Sequence, residues 1–288
     1  MNHYQRIDLQ SVSLSYRQCG DGHAVILMHG FPDTLETWAA TESLLEKQKH
    51  RVINVALRGY PPSSTARDND YSLPALAGDI LALLDRLNIE SATLVGHDWG
   101  ASIAYLLAAM APNRVHSLVA LAIPPLSVFE NSLEEQKARP HNEYLSHGAV
   151  SADHLLADDL QEIEALYQLW SPHWQVPRQH LETVRQALEQ PCRARAAVDF
   201  YRHELSKAQQ KKFLVPLSTP ALLIYGSDEP AVRKRMFDNA DKAFISSVQT
   251  RCIDKVGHWP HLEAPQQFHE MLIQFLEQSI RRATRQAQ

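Results

Sequence analysis

The stretch Ala92-Thr93-Leu94-Val95-Gly96-His97-Asp98-Trp99-Gly100-Ala101 joins an apolar run to a helix-forming one through a Gly-x-Asp-x-Gly turn. Ala92 to Val95 read as a buried strand, and the small residues after Trp99 read as the start of a helix. A turn this sharp brings backbone close to backbone on both sides of its apex, so residues two places before and after must be small. Gly96 and Gly100 meet that need and leave Asp98 at the apex. A hydroxyl there that attacked saturated carbon would form an ether, which water does not cleave. A carboxylate forms an ester, whose carbonyl water can attack. Asp98 therefore points to substrates opened at sp3 carbon.

Working outward, short β-rich runs precede the turn: Arg6 to Gln10, Ser13 to Gln18, Ala24 to His29 and Arg51 to Leu57. Helical periodicity runs from Leu73 to Leu87, and after the turn a helix is expected over Ala101 to Met110, then a strand over Ser117 to Ala122. Strand and helix in alternation is the pattern of a mostly parallel sheet. From about Leu126 to Leu214 strand-like runs give way to helical, tryptophan-bearing stretches: Leu155 to Trp170, Arg178 to Leu188 and Cys192 to Lys207. This predicts a helical cap over 126–214 inserted into a core made of 1–125 and 215–288. Strands return at Ala221 to Tyr225 and Val248 to Ile253. A closing amphipathic helix begins at Pro265, with Phe268, Met271, Leu272, Phe275, Leu276 and Ile280 on one face.

The chain has 288 residues, enough for one large α/β domain with an insertion. Its 28 basic and 33 acidic residues give a net charge of -5, with no basic run dense enough to follow a phosphate backbone, so no nucleic-acid partner is expected. Met1 to Gly20 is polar and charged, and no apolar run approaches the roughly eighteen residues of a membrane span. A cytoplasmic protein with no membrane partner is the expectation. Cys19, Cys192 and Cys252 fit neither a disulfide framework nor a zinc site.

Two further motifs complete a reaction centre. His29-Gly30-Phe31-Pro32 ends the third strand, where the Phe31 amide could join the Trp99 amide in an oxyanion hole. Val256-Gly257-His258-Trp259-Pro260-His261 follows the last strand, and its Gly-His pair makes His258 the expected base, with His261 the competitor. A carboxylate nucleophile has no proton to give up, so the histidine should act on water in the second step. An acid to hold the imidazole tautomer is expected after the strand Ala221 to Tyr225, at Asp228, with Glu229 one residue away as the alternative.

In this order the motifs resemble the α/β-hydrolase superfamily over nearly the whole chain, and GHDWGA with HGFP is most similar to its epoxide hydrolase branch. The resemblance implies a mostly parallel eight-stranded sheet flanked by helices and a reaction without metal or cofactor. It also implies two cap residues that protonate the epoxide oxygen. Phe200-Tyr201-Arg202 is similar to the stretch carrying one of them, which nominates Tyr201. Arg139-Pro140-His141-Asn142-Glu143-Tyr144 resembles a variant with histidine in the other place, which nominates His141, with Tyr144 as fallback. Trp99, Phe31, Trp170 and Phe200 are the expected substrate-binding wall.

A haloalkane dehalogenase would use the same aspartate, histidine and water but needs two N–H donors around the halide. Phe31 stands where one such donor could be an asparagine, leaving Trp170 or Trp174 for the second. A haloacetate dehalogenase would carry arginines after the aspartate, and none are present there. A non-catalytic ligand binder would not need a nucleophile and a base together. The expected partners are a small apolar epoxide or halide and water, and an exposed cap surface leaves a homodimer open.

Overall fold

Parallel strands buried on both faces need near-continuous apolar sequence, and Ala24–Met28 (β3) and Ala92–His97 (β5) are buried along their whole length. In the computed structural model, which describes residues 4–286, they pair in parallel register, Val25 with Thr93 and Met28 with Gly96. Around them lie Gln5–Asp8 (β1), Ser13–Cys19 (β2), Arg51–Ala56 (β4), Val115–Leu121 (β6), Ala221–Gly226 (β7) and Val248–Ile253 (β8). The eight-stranded sheet has the order β1-β2-β4-β3-β5-β6-β7-β8. β1 and β2 are antiparallel to their neighbours and the other pairs are parallel. Met1 to His3, at the start of the stretch read for an apolar leader, lie outside the described residues.

Helices Ala39–Lys47 (α1), Leu73–Arg86 (α2) and Trp99–Met110 (α3) connect the first parallel strands. α2 buries Leu73, Leu76, Ala77, Ile80, Leu83 and Leu84, the one-sided pattern of a helix laid on a sheet. α3 is buried from Gly100 through Ala108, which explains its run of small residues. Between β6 and β7 the described chain is helical: Leu133–Ala138 (α4), His141–Leu145 (α5), Ala149–Leu156 (α6), Gln161–Trp170 (α7), Arg178–Leu188 (α8), Pro191–Asp199 (α9) and Lys207–Phe213 (α10). Ala231–Asp238 (α11), Pro260–Glu263 (α12) and Pro265–Gln286 (α13) follow, and α13 packs Phe268, Leu272, Phe275 and Leu276 into the core, with Met271 and Ile280 only partly buried.

Two expected helices are broken. Asp158, Asp159 and Leu160 all have positive φ and split the stretch Leu155 to Trp170 between α6 and α7. Consecutive left-handed residues cannot continue a right-handed helix, and Asp tolerates that region better than most. Cys192 to Lys207 likewise stops at Asp199, whose carboxylate is taken by Arg195 and Arg202, and α10 restarts on a capping box between Ser206 and Gln209.

Four imidazoles packed inside this core make the fold sensitive to acid. Burial holds His29 and His97 down at about 4, lowers His141 to about 2, and lowers His261 as well. In the unfolded chain these rings protonate near 6.5. Below that pH the unfolded state binds protons the folded state refuses, so stability falls as pH drops from about 6.5 toward 4. Each group costs roughly 1.4 kcal/mol per unit across its window. Urea unfolding should therefore lose several kcal/mol between pH 7 and pH 5, out of a total on the order of 5–15 kcal/mol. A midpoint that stays level over that range would contradict it.

Candidate active site

The carboxyl ends of β3, β5, β7 and β8 converge on one cluster of side chains, the place where open parallel sheets bind their ligands. Asp98 leaves β5 with φ 52° and ψ −117°, a conformation that costs about 1–3 kcal/mol for a non-glycine residue. Neighbouring glycines make it sterically feasible. A side chain on Gly96 would collide with the Gly100 carbonyl, and one on Gly100 with the Met28 carbonyl.

The Asp98 carboxylate has two distinct oxygens. Oδ1 accepts the Phe31 amide at 2.9 Å, and Oδ2 lies 3.4 Å from His258 Nε2. Burial opposes its ionisation, but the contacts to His258, His97 and the Phe31 amide outweigh it and hold the group at about 2. Trp99 opens α3, so its amide belongs to the first turn, where N–H groups lack an intrahelical acceptor.

His258 sits on a loop tied to the helical segment. Its amide donates to the Trp170 carbonyl at 3.1 Å and Ser171 Oγ at 2.9 Å, while Glu263 receives the amides of Gly257 and Trp259. The ring's Nδ1 is 2.7 Å from Glu229 Oε1. Glu229 is fully buried, and its other oxygen pairs with Arg139. Burial would push the Glu229 carboxyl up, yet Arg139, His258 and Arg233 together hold it well below the usual carboxylate range.

Asp228, the expected acid, is not on His258. Its carboxylate pairs with the exposed His173 at 2.6 Å. The turn after β7 places the second acidic residue inward: the Asp228 amide bonds to the Val256 carbonyl and the Glu229 amide to the Gly226 carbonyl. That difference is one of register at a strand exit. Glu229→Gln should slow ester hydrolysis by roughly 10³-fold or more, and Asp228→Asn by less than about threefold. Pre-steady-state rates of the two variants decide it, and the opposite order would return the role to Asp228.

The remaining expected residues meet above Asp98. The Tyr201 ring lies edge-on to Phe31 and Trp99, with centroids 5.5 and 5.2 Å apart, and Phe200 packs at 5.6 Å from Trp99. Trp170 is 5.2 Å from the His258 ring and 4.4 Å from that of His141. The Trp170 indole N–H donates to His141 Nδ1 at 3.2 Å, so the neutral imidazole carries its proton on Nε2. Burial and the Arg139 charge keep His141 neutral. Tyr144, the fallback, instead gives its hydroxyl to Glu162. Trp174 packs edge-on or tilted against Tyr167, His180 and Trp259.

His261 does not take the base position: it stacks on Trp38 at 4.4 Å and meets Thr37 Oγ1 at 2.8 Å. With Asp33 and His97 it brings donor atoms within 4.8 Å of one another, the types a divalent metal takes. Both Asp33 oxygens are already held by Tyr167, His180, Trp259 and Thr37, however, so the group reads as the hydrogen-bonded floor of the site. Arg139 and Asp33 were not anticipated. The Arg139 partner lies 90 residues away, and apart from Thr37 the Asp33 partners are distant too, Tyr167 by 134 residues and Trp259 by 226.

The family model described as alpha/beta hydrolase fold matches residues 23–265. The chain belongs to the α/β-hydrolase fold family. Among curated α/β-hydrolase relatives it is similar to an epoxide hydrolase of Caballeronia sordidicola, 27% identical over 94% of this chain and 92% of the relative. It is also similar to the pimeloyl-[acyl-carrier protein] methyl ester esterase of Aeromonas hydrophila, at 27% identity over 92% of this chain and all of the other. A solved structure, a candidate epoxide hydrolase from Klebsiella pneumoniae, superposes with a TM-score of 0.82 at 25% identity over 94% of this chain and 96% of that one. Among the described residues, no helix of this hydrolase is long and apolar enough to cross a membrane.

Proposed function

We propose that this hydrolase opens small epoxides to vicinal diols through an ester on Asp98, under a helical cap formed by residues 126–214. The observation that carries the reading is the split environment of the Asp98 carboxylate, one oxygen on the Phe31 amide and the other toward His258. Oδ2 attacks a ring carbon, the C–O bond opens, and the ring oxygen takes a proton from Tyr201 with a hydrogen bond from His141 Nε2–H. Alkoxide is a poor leaving group without such donors. Water then attacks the ester carbonyl carbon as His258 takes its proton, with Glu229 holding the imidazole. Charge developing on Oδ1 is met by the Phe31 and Trp99 amides; collapse releases the diol and restores the carboxylate, and the proton held on His258 passes through water to the Tyr201 phenolate, which closes the cycle.

Two alternatives draw less support. An acyl ester substrate would leave an anhydride on Asp98, which is far less favourable than the alkyl ester an epoxide leaves. A haloalkane would need a second N–H on the departing halide, and the Trp170 N–H is already given to His141. The names of the Caballeronia and Klebsiella proteins agree with the epoxide reading. The test is a substrate panel on the purified protein: styrene oxide should yield its diol, 1-bromobutane should yield no bromide, and Tyr201→Phe should slow the epoxide reaction in kcat more than in KM. Bromide release without diol formation would reverse the assignment.

A further inference from the structure

We propose that Arg139 is a positioning residue of the catalytic pair, its guanidinium clamped on the outer oxygen of Glu229 so that His258 remains a free base at lower pH than an unclamped pair would allow. The inference rests on the reading of Asp98, His258 and Glu229 as nucleophile, base and acid. Glu229 has two oxygens with different duties: Oε1 faces His258 Nδ1 at 2.7 Å and Oε2 is taken by Arg139. Arg139 and Glu229 are both buried, so little water screens the pair.

The charges around this point alternate. Glu135 of α4, one turn before Arg139 at the end of that helix, receives Arg233 of α11 at 2.8 Å, giving a buried set of two acids and two arginines. Beyond it, the His258 ring faces Asp98 and the His97 ring at 5.0 Å, with His141 and His261 nearby. Arg139 is the member that neutralises the acid on which His258 leans. Without it, a full uncompensated carboxylate would stabilise the imidazolium, and an imidazolium cannot take a proton from water.

Arg139 has few other commitments. Its Nε has no hydrogen-bond partner, and the guanidinium carbon lies 5.6 Å from the centre of the Trp170 ring. Trp170 in turn holds His141, so one side chain touches both the acid and the support of the expected proton donor. It also belongs to the helical segment, whereas Glu229 lies in the turn that follows β7, so the pair joins the two parts of the molecule at the catalytic acid.

The test follows the His258 ring C–H resonance with pH in the full-length protein labelled at histidine, assigned by its loss in His258→Gln. Relative to the parent, Arg139→Met should move the titration midpoint upward by about one unit. Arg139→Lys, which keeps the charge, should return it most of the way. The acidic limb of ester hydrolysis should move with the resonance. A folded Arg139→Met protein with an unmoved midpoint would overturn the proposal, whatever its loss of activity. Should that variant not fold, Glu135→Gln leaves an excess positive charge and should move the midpoint downward; no movement, or movement upward, overturns it equally. Because the resonance needs no substrate, a wrong assignment of the reaction would appear separately, as absent diol formation with the shift intact.

Discussion

Asp98→Ala should lose epoxide turnover by at least about 10⁴-fold, with the protein still folded. The substitution removes the carboxylate proposed to bond to carbon, while the Phe31 amide, His258 and the aromatic wall remain. Asn is the less decisive choice, because a side-chain amide beside a water-activating histidine can itself be hydrolysed back to Asp. If His258 instead drove water directly onto the epoxide, Asp98 would serve only to orient, and the alanine variant would keep a substantial fraction of the rate. Isotope labelling separates these routes in the parent protein. A single turnover in H₂¹⁸O should place the heavy atom in the Asp98 carboxylate, because in the proposed scheme water attacks the ester carbonyl and not the substrate carbon. Label found in the diol with none in the Asp98 peptide would remove the covalent step.

That experiment depends on a residue that was legible in the sequence because local steric need announced it. A strained apex requires Gly96 and Gly100, and both motif and backbone follow from chain neighbours. The same holds for the Phe31 amide and for His258, each on a short loop leaving a strand. Glu229 was visible only as one of two adjacent acids, since which of them turns inward is fixed by the turn bonds to Val256 and Gly226, not by residue type. The helical segment was legible as helix but not in its joints. The break at Asp158 and Asp159 depends on dihedral angles that Asp tolerates without demanding, whereas the restart at Ser206 and Gln209 carried a capping signal in plain view. Arg139 was beyond reach, because a buried arginine is explained only by the acid it meets, and Glu229 arrives from the far side of the fold.

His258→Gln should stop the reaction at the ester, before the first turnover is complete, with about one equivalent of epoxide bound to the protein. In the first step a carboxylate nucleophile needs no base, because once ionised it has no proton to lose, and in the variant His97 and the Phe31 amide on Oδ1 still favour its ionised form. In the proposed scheme ring opening needs only the attacking oxygen and donors for the alkoxide, the part assigned to Tyr201 and His141. The second step differs, since neutral water must lose a proton as it meets the ester, and Gln has no basic nitrogen to receive it. Hydrolysis should therefore fall by roughly 10⁴-fold while ester formation changes little. The intact-protein mass should rise by that of one epoxide molecule, and the addition should map to the peptide containing Asp98. Two results would count against the scheme: a variant that forms no adduct, which would give His258 a part in ring opening, or one that keeps turning over, which would assign the water to another base. Glu229→Gln should show the same adduct in weaker form, because its histidine remains but has lost the acid that fixes its tautomer and supports its charge.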